Sequence, residues 1–585
     1  MEPQGVEAYE FDSFRMDVVS RRLLSDDQVV KLPTKDFDIL LLLVSSNGRV
    51  VTKEELMGHV WPDQFVEENN LTVRISALRK LLGESHTRTK YIQTVQGRGY
   101  RFVAKVRAIG AAKTTQSKST SPDAQRATGS LAVLPFGLIA ADPHEKYLGQ
   151  GITDAIITKL GKIRRLRVPP TTAILRYTQS EIDLQEIGHK LGVDSVLTGQ
   201  VQKISERIRV TVQLTSTQRW QVLWAEKFDE SFTNIFAVED RISERVANTL
   251  VQGLSPGEQK ILARRYTKST EAYRSYLEGR YFWNKRTEDG FKKGIKCFQQ
   301  AIKFDPHYAL AYAGIALCYN LLSSYGLLPP SECLPNTKEA AGRALELDET
   351  VADAHAALGH VKMMHDWDWP GAEEHLRRAT ELDPNNPTAY HWYAIYLRCL
   401  GRFNEALAAL GRAHELDPLS LIVKVATAGT FYFARQYDVA ILKLQEVLDL
   451  DPNFPPTYTV LGLAYAHRGM FKEAIAIARK GTVVDSNPES LSTLAFVYAM
   501  SENRAAVIRV LNKLKRAAAR HSSWSFDLAA IYACLGEKEK AFAFLEKAFE
   551  QRNPSVILLK VDQRFDNVRS DPRFASMLQS MGFTE

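Results

Sequence analysis

The residues with the clearest chemical use lie in one short stretch. Residues 69–105 hold Arg74, Arg79, Lys80, Arg88, Lys90, Arg98, Arg101 and Lys105 against Glu84 alone, a net +7 (8 − 1). Residues 1–68 hold seven basic and fourteen acidic side chains, a net −7 (7 − 14). Cations gathered in this way are the footprint of phosphate binding, because neutralising a nucleic-acid backbone releases its counterions. Asn69, Asn70 and Thr72 stand beside them. Such side chains can hold phosphate oxygens or base edges, and arginine pairs well with guanine O6/N7.

Other chemistry finds less support. HExxH, GxSxG, GxxxxGK[ST] and a kinase set do not occur. His355, His360 and His365 are five apart, so successive ones sit about 140° around a helix and cannot share a metal. Cys297, Cys318, Cys333, Cys399 and Cys534 are odd in number and lack CxxC spacing, so reduced structural thiols are expected. Gly149-Gln150-Gly151 lacks the third glycine of a nucleotide loop and reads better as a helix start. The basic run Lys162, Arg164, Arg165 and Arg167 could touch DNA or an anion, but a solvated patch is the simpler reading. Asp366 and Asp368, in HDWDW, suit an interhelical turn. We expect no enzyme, metal or cofactor.

At about 150 residues per domain, 585 residues make about four domains. Hydrophobic residues at 45% and charged ones at 24% are ordinary globular values, which excludes a disordered or collagen-like chain. The N-terminus has no basic start followed by an apolar run. The longest strongly apolar stretch, residues 39–44, is far short of the ~20 needed to span a bilayer, so a cytoplasmic protein without a membrane partner is expected.

The front elements must position the cationic stretch. Residues 9–14, 22–24 and 29–32 look like short strands around Ser25-Asp26-Asp27. Thr34 can cap a helix over 35–46 whose face is Phe37, Leu40, Leu41 and Val44. Thr52, with Glu55 three residues later, forms a capping box for a helix over 53–60, broken at Trp61-Pro62. A third helix over 68–82 buries Leu71, Ile75, Leu78 and Leu82, which turns Asn70, Thr72, Arg74 and Ser76 outward. Residues 91–95 and 100–104 are two strands around Gln96-Gly97-Arg98-Gly99.

Three helices and a glycine-tipped hairpin are the plan of a winged helix. VVTKEELMGHVWP, ENNLTVRISALRKLLGE and YIQTVQGRGYRF resemble the OmpR/PhoB-type DNA-binding domain, above all its CadC- and ToxR-type N-terminal form. The resemblance covers residues 8–105. It implies a recognition helix over 68–82 in the major groove and a wing over 91–104 reaching the minor groove. The implied DNA contacts are Asn69, Asn70, Thr72, Arg74, Ser76, Arg79, Lys80, Thr94, Arg98 and Arg101. Arg74 is placed to read guanine and Thr94 to hold phosphate, and Arg98 at the wing tip suits a narrow minor groove. Arg79 and Lys80, late in the helix, suit backbone or internal contacts. Tyr100 suits the wing core. Ser76, Ala77 and Gln96 fall where response-regulator relatives often carry arginine, so base preference should differ. The winged helix at the N-terminus leaves no place for a receiver domain, and the following linker is too polar for a membrane anchor.

The remaining organisation is one linker and two further parts. Residues 106–130 lack aromatic residues and apolar period and read as a flexible linker with a reach of roughly 25–30 Å. Residues 131–255 alternate strand and helix patterns. LAVLPF, GVDSVLTGQV and LWAEKFDESFTNIFAVEDRI resemble the TolB N-terminal-like module, which implies an α/β fold but no ligand. Asp383, Asp417, Asp451 and Asp485 recur every 34 residues, as do Ala406, Ala440 and Ala474. Each unit reads as two helices with small residues such as Ala394 and Gly462 at their crossing, and resembles the tetratricopeptide repeat. About eight units fill 270–550, with 551–585 as a C-terminal cap. Arg435 and Asn503 replace the small residue of the interhelical turn, and SSYGLLPPSE carries an insertion. Such a stack forms a superhelix whose groove takes a protein or peptide.

The expected architecture is multidomain and mostly α: an N-terminal winged helix-turn-helix (α+β), a middle α/β module and a C-terminal α-solenoid. The expected function is a sequence-specific DNA-binding transcriptional regulator of a bacterium. Its array would serve protein interaction, signal reception or self-association, including a homodimer on double-stranded DNA. The alternatives are a protein-interaction scaffold whose winged helix meets protein, and a cyclase-like enzyme, for which no residue set is present.

Overall fold

Local signals and long-range pairing divide the work of building the front unit. The structure, a computed structural model, describes residues 6–12, 14–17, 22–25, 28–30, 32–46, 49–60, 68–82, 91–95, 98–104, 106–110, 129–139, 145, 147–177, 183–204, 207–219, 221–231, 235–251, 253–485, 488–518 and 524–583. It divides into two units, Met1–Asp123 and Ala124–Glu585. In the first, strands β1 (Val6–Phe11), β2 (Phe14–Asp17), β3 (Arg22–Ser25) and β4 (Gln28–Val30) form antiparallel hairpins. Residues 9–14, expected as one strand, are two, because Asp12 takes φ 53° and folds Phe14 back beside Phe11. Helix α1 (Thr34–Ser45) begins one residue earlier than expected. Pro33 holds the cap position, so Thr34 is its first residue and not its cap. Strand β5 (Val50–Thr52) leads into α2 (Lys53–Val60) through the expected box: Glu55 N–H donates to Thr52 Oγ1 at 3.1 Å and Thr52 N–H to Glu55 Oε2 at 2.8 Å.

Helix α3 (Glu68–Leu81) buries Leu71, Ile75, Leu78 and Leu82, each at most 3% exposed. Strands β6 (Ile92–Val95) and β7 (Gly99–Phe102) form the wing, with β7 in the centre of a β5-β7-β6 sheet. Phe11, Phe14, Tyr91 and Phe102 pack edge and face in the core. Strand β8 (Arg107–Gly110) pairs with β1, so the first residues assigned to the linker complete the front sheet. Residues 111–128 of that linker lie outside the described residues.

The second unit begins with the α/β module. Strands β9 (Gly129–Val133), β10 (Gly137–Ile139) and β11 (Leu166–Arg167) join the meander β12 (Ser195–Ile204), β13 (Arg207–Ser216) and β14 (Val222–Ser231). The order is β11-β9-β12-β13-β14, parallel as far as β12 and antiparallel beyond. Its helices are α4 (Tyr147–Gly161), α5 (Thr171–Ile174), α6 (Leu184–Leu191), α7 (Ile235–Leu250) and α8 (Pro256–Leu262). Gly149 and Gly151 lie inside α4, not in a loop. A Cβ at Gly149 would sit 2.3 Å from Phe136 O, so close packing accounts for that glycine.

Helices α9–α24 form eight antiparallel pairs among the described residues. The first four pairs are Thr270–Asn284 with Glu288–Phe304, Ala309–Ser324 with Pro330–Leu347, Ala352–Val361 with Trp369–Leu382, and Pro387–Cys399 with Phe403–Leu416. Then come Leu421–Phe433 with Tyr437–Leu450, Pro455–His467 with Phe471–Val484, Pro488–Met500 with Arg504–Ala518, and Ser525–Cys534 with Lys538–Glu550. Asp383, Asp417, Asp451 and Asp485 each end a second helix, as the period requires. The interhelical turns need a left-handed residue. Gly401, Gly469 and Gly536 supply it, but so do Arg435 at φ 63° and Glu502 at φ 59°. Glu502, not the expected Asn503, thus fills the turn. Asn503 moves on to cap the next helix, with Oδ1 accepting Ala506 N–H at 3.1 Å. That one-residue contraction explains why the alanine column returns a residue early at Ala541.

The tail does more than cover the last pair. Two 3-10 turns, Pro554–Leu558 and Gln563–Val568, precede α25 (Pro572–Ser580). Arg564 pairs with Asp527 of the eighth unit at 3.0 Å. The tail also reaches back. Asp566 meets Arg435 of the fifth unit at 2.8 Å, and Met581 O accepts from Trp369 Nε1 of the third at 2.6 Å. Among the described residues, no helix is long and apolar enough to cross a membrane.

Candidate nucleic-acid interface

The apolar stripe of α3 fixes which side chains face outward. With Leu71, Ile75 and Leu78 inward, Thr72, Val73, Ser76 and Ala77 are exposed on the opposite face. Val73 is 61% exposed. A branched apolar side chain on this face suits a thymine methyl group. The sequence reasoning missed it, although its spacing from Ser76 and Ala77 was a usable signal.

Arg74 does not project as expected. It is half-buried, and its Nη1 donates to Asp36 Oδ1 on α1 at 2.7 Å. Asp36 is 6% exposed, so this pair locks α3 onto α1. A guanidinium held this way has a structural task before any base contact. Arg79 also faces inward, and this fits the internal role expected of it. Its Nε and Nη2 donate to Ile92 O at 3.1 and 2.8 Å, and Nη2 donates to Thr94 Oγ1 at 2.8 Å. The end of the helix is thereby fixed to wing strand β6.

The wing presents one polar face. Ile92, Tyr100 and Phe102 are buried, whereas Gln93 and its cross-strand neighbour Arg101 are exposed. Thr94 and Arg98 are exposed as well. Neither Arg98 nor Arg101 forms an ion pair among the described residues. Gly99 allows the strand to approach β5, since a Cβ there would lie 2.1 Å from Val51 O. The side chains of Asn69, Asn70 and Lys80 lie outside the described residues, as do Gln96 and Gly97. The structure therefore brings Thr72, Ser76, Thr94, Arg98 and Arg101 to the surface and uses Arg74 and Arg79 to hold the helix and wing in place.

The remaining sequence candidates have other tasks. Arg164 donates to Glu381 O at 3.1 Å, Arg165 pairs with Glu258 at 2.6 Å and Arg167 donates to Glu415 O at 2.9 Å. Three of the four cations of the basic run thus have intramolecular partners and fasten the module to the repeats and to α8. The cysteines are free, and burial pushes the thiols of Cys297 and Cys399 up to about 12. His355 meets His375 through their Nδ1 atoms at 2.9 Å, away from its sequence neighbours His360 and His365.

Residues 27–102 match the family described as transcriptional regulatory protein, C terminal. The front domain is a transcriptional-regulator winged helix of the OmpR/PhoB type. Behind the winged helix, residues 126–245 match the second domain of HilA/YgeH-like transcriptional regulators, where a TolB-like module was expected. Residues 375–408 match a tetratricopeptide repeat. Transcriptional regulator HilA of Salmonella typhi is 25% identical over 448 residues, 75% of this chain and 76% of the relative. Putative adenylate cyclase 3 of Rhizobium meliloti is 29% identical over 256 residues, 43% of this chain and 42% of its own. The Klebsiella pneumoniae RstA DNA-binding domain, solved in complex with the RstA box, is 30% identical and covers 16% of this chain and 96% of that one, with a TM-score of 0.16.

Proposed function

We propose that the chain is a DNA-binding transcriptional regulator whose winged helix reads sequence through α3 and holds the backbone through its wing. One observation carries this reading: the outward face of α3 and the exposed Arg98 and Arg101 lie in the domain that matches a transcriptional-regulator family. Thr72, Val73 and Ser76 are the proposed base-reading positions; Thr94, Arg98 and Arg101 are the proposed phosphate contacts. Asn69, Asn70 and Lys80 remain proposed contacts from their positions on the helix. Arg74 and Arg79 act in this reading by positioning. A regulator acts where the DNA is, so the proposed site of action is the bacterial cytoplasm. The module and repeats receive a signal or a protein partner, and self-association through them would place two winged helices on adjacent half-sites. No catalytic step is part of this reading; a cyclic-nucleotide assay on the purified chain checks that point.

The test is selection of duplexes from a random pool by the full chain across a salt series. Enrichment of a repeated motif is expected, with affinity falling steeply with salt. Arg98→Ala with Arg101→Ala should weaken binding evenly across sequences and lower the salt slope by about two. Val73→Ala with Ser76→Ala should shift the motif itself. Selection that enriches no motif would turn the winged helix into a protein-contact module.

A further inference from the structure

The repeats, with the module and the tail, line a half-open cavity of about 800 Å³. Its walls come from three parts of the chain: the module at Thr172 and Arg176, the first helices of several units, and the tail at Arg552–Leu558. The apolar part includes Leu334, Met364, Trp392, Ile395 and Ile557. Pockets for small molecules occupy about 300–1,000 Å³ and combine such walls with a few convergent polar groups.

The polar groups are unusual in what they lack. Arg176, Arg286, Arg398 and Arg552 line the cavity against a single carboxylate, Asp417. None of the four arginines forms an ion pair among the described residues. Among the described residues, Arg398 Nε, Arg552 Nη1, His360 Nδ1 and Asp417 Oδ1 are buried without a hydrogen-bond partner. His360 is 5% and Asp417 6% exposed. Buried polar atoms are nearly always satisfied, and the two guanidinium nitrogens, which can only donate, point to a missing acceptor. Burial also presses on the charges. It lowers Arg286 to about 10 and lowers Arg398, and it keeps His360 neutral with a value near 3.

We propose that this chamber binds a small organic anion with an apolar body. Its carboxylate or sulfonate would take the open donors of Arg398 and Arg552, and its body would lie against Trp392, Ile395 and Ile557. Arg552 is already oriented by stacking 3.7 Å above Trp367. With the module forming one wall and the tail another, the space suits a compact molecule rather than an extended peptide. A ligand that touches Arg398 of the repeats and Arg552 of the tail, with Arg176 of the module opposite, favours the arrangement in which all three stay together. The site stands on the chamber alone; its use as a signal input rests on the regulator reading above.

The test uses the full chain and 8-anilinonaphthalene-1-sulfonate, an aromatic anion whose fluorescence rises on burial. N-phenyl-1-naphthylamine is its uncharged counterpart. Saturable binding of one sulfonate dye per chain is expected, with much weaker binding of the neutral one. Arg398→Gln or Arg552→Gln should each weaken the anionic dye by about ten- to hundredfold, the worth of a charge-assisted hydrogen bond. Arg343→Gln, whose exposed partner is Glu346 outside the chamber, should bind as wild type. Variants that melt like wild type and bind the dye equally would overturn the proposal. Equal binding of the two dyes by the wild type would overturn it even if the variants do not fold. Displacement of the dye by an acidic decapeptide but not by decanoate would replace the small anion with a peptide. These measurements read no DNA, so their failure and that of the regulator reading are separable.

Discussion

Asn385 is the most exposed point in the argument that module and repeats are one body. It sits 6% exposed in the loop between the third and fourth units. Its Nδ2 donates to Gly161 O at 2.7 Å and to Leu166 O at 2.9 Å, and its Oδ1 accepts Val168 N–H at 3.2 Å. One amide thereby satisfies three backbone groups at the end of α4 and along β11. Asn385→Ala leaves them without this partner in a buried place. An unsatisfied buried group costs about 1–3 kcal/mol, and partial relaxation keeps the sum near about 3–5 kcal/mol. Asn385→Asp is the sharper probe. It keeps the acceptor for Val168 but aims an oxygen at two carbonyl oxygens, so it should cost at least as much as alanine. Urea unfolding of the full chain, followed by tryptophan fluorescence, measures both. The expected result is a lower midpoint for each and, if the interface gives way first, separate transitions for module and repeats. Costs below about 1 kcal/mol, or aspartate tolerated better than alanine, would refute the bracket.

Other consequences follow from single contacts. Gly99→Ala puts a Cβ 2.1 Å from Val51 O and should destabilise the front unit by more than about 2 kcal/mol; an unchanged melting temperature would contradict the strand geometry. Arg79→Ala removes three hydrogen bonds from the wing and should speed amide exchange at residues 92–95 before it alters the melting of α1. Glu239 is buried and accepts from Tyr273 Oη, and burial pushes its carboxyl up from 4.5 to about 7. A raised carboxyl contributes stability that is full below its unfolded value and lost as pH rises through its folded one. Glu239→Gln should therefore gain on wild type between pH 5 and pH 8 by up to about 3 kcal/mol, read from urea midpoints at the two pH values. A pH-independent difference would place the carboxyl's titration elsewhere.

Periodic features were legible from the sequence, and tertiary ones were not. The 34-residue step, the Asp-Pro breaks, the capping box at Thr52 and the buried stripe of α3 all follow from local pattern, and the structure holds each of them. Residues 9–14 misled because an aspartate can take a left-handed turn between two aromatic residues without any glycine to announce it. Strand β8 misled because a four-residue edge strand at the start of a polar segment carries no apolar period; only its pairing with β1 makes it a strand. Within the candidate site, the sequence placed α3 and the wing but could not tell which arginines face DNA. Arg74 turns inward because Asp36, 38 residues away, waits on α1. A lone aspartate on an apolar face gives no sign of its partner's identity.

The repeat pattern invites the picture of an open groove, and the chain's own packing changes what that groove can do. Repeats stack so that each buries its neighbour, which fixes the curvature but leaves the inner surface for something else to cover. Here two internal segments pack against the array. The end of α4 and β11 occupy the loops after the third and fourth units through Asn385, Glu381 and Glu415. The tail runs from Asp527 back to Trp369, touching Arg435 on the way. An external peptide would have to displace these contacts, among them the largely buried pairing of Arg564 with Asp527 of the eighth unit. Breaking a buried charge pair of this kind costs about 3–5 kcal/mol, which a modest peptide motif would have to recover before showing any net affinity. A compact anion in the chamber displaces nothing and supplies the groups that Arg398 and Arg552 lack. The same packing that a peptide would have to disturb therefore leaves the chamber as a place where binding energy is still to be gained, on walls that the module, repeats and tail all supply.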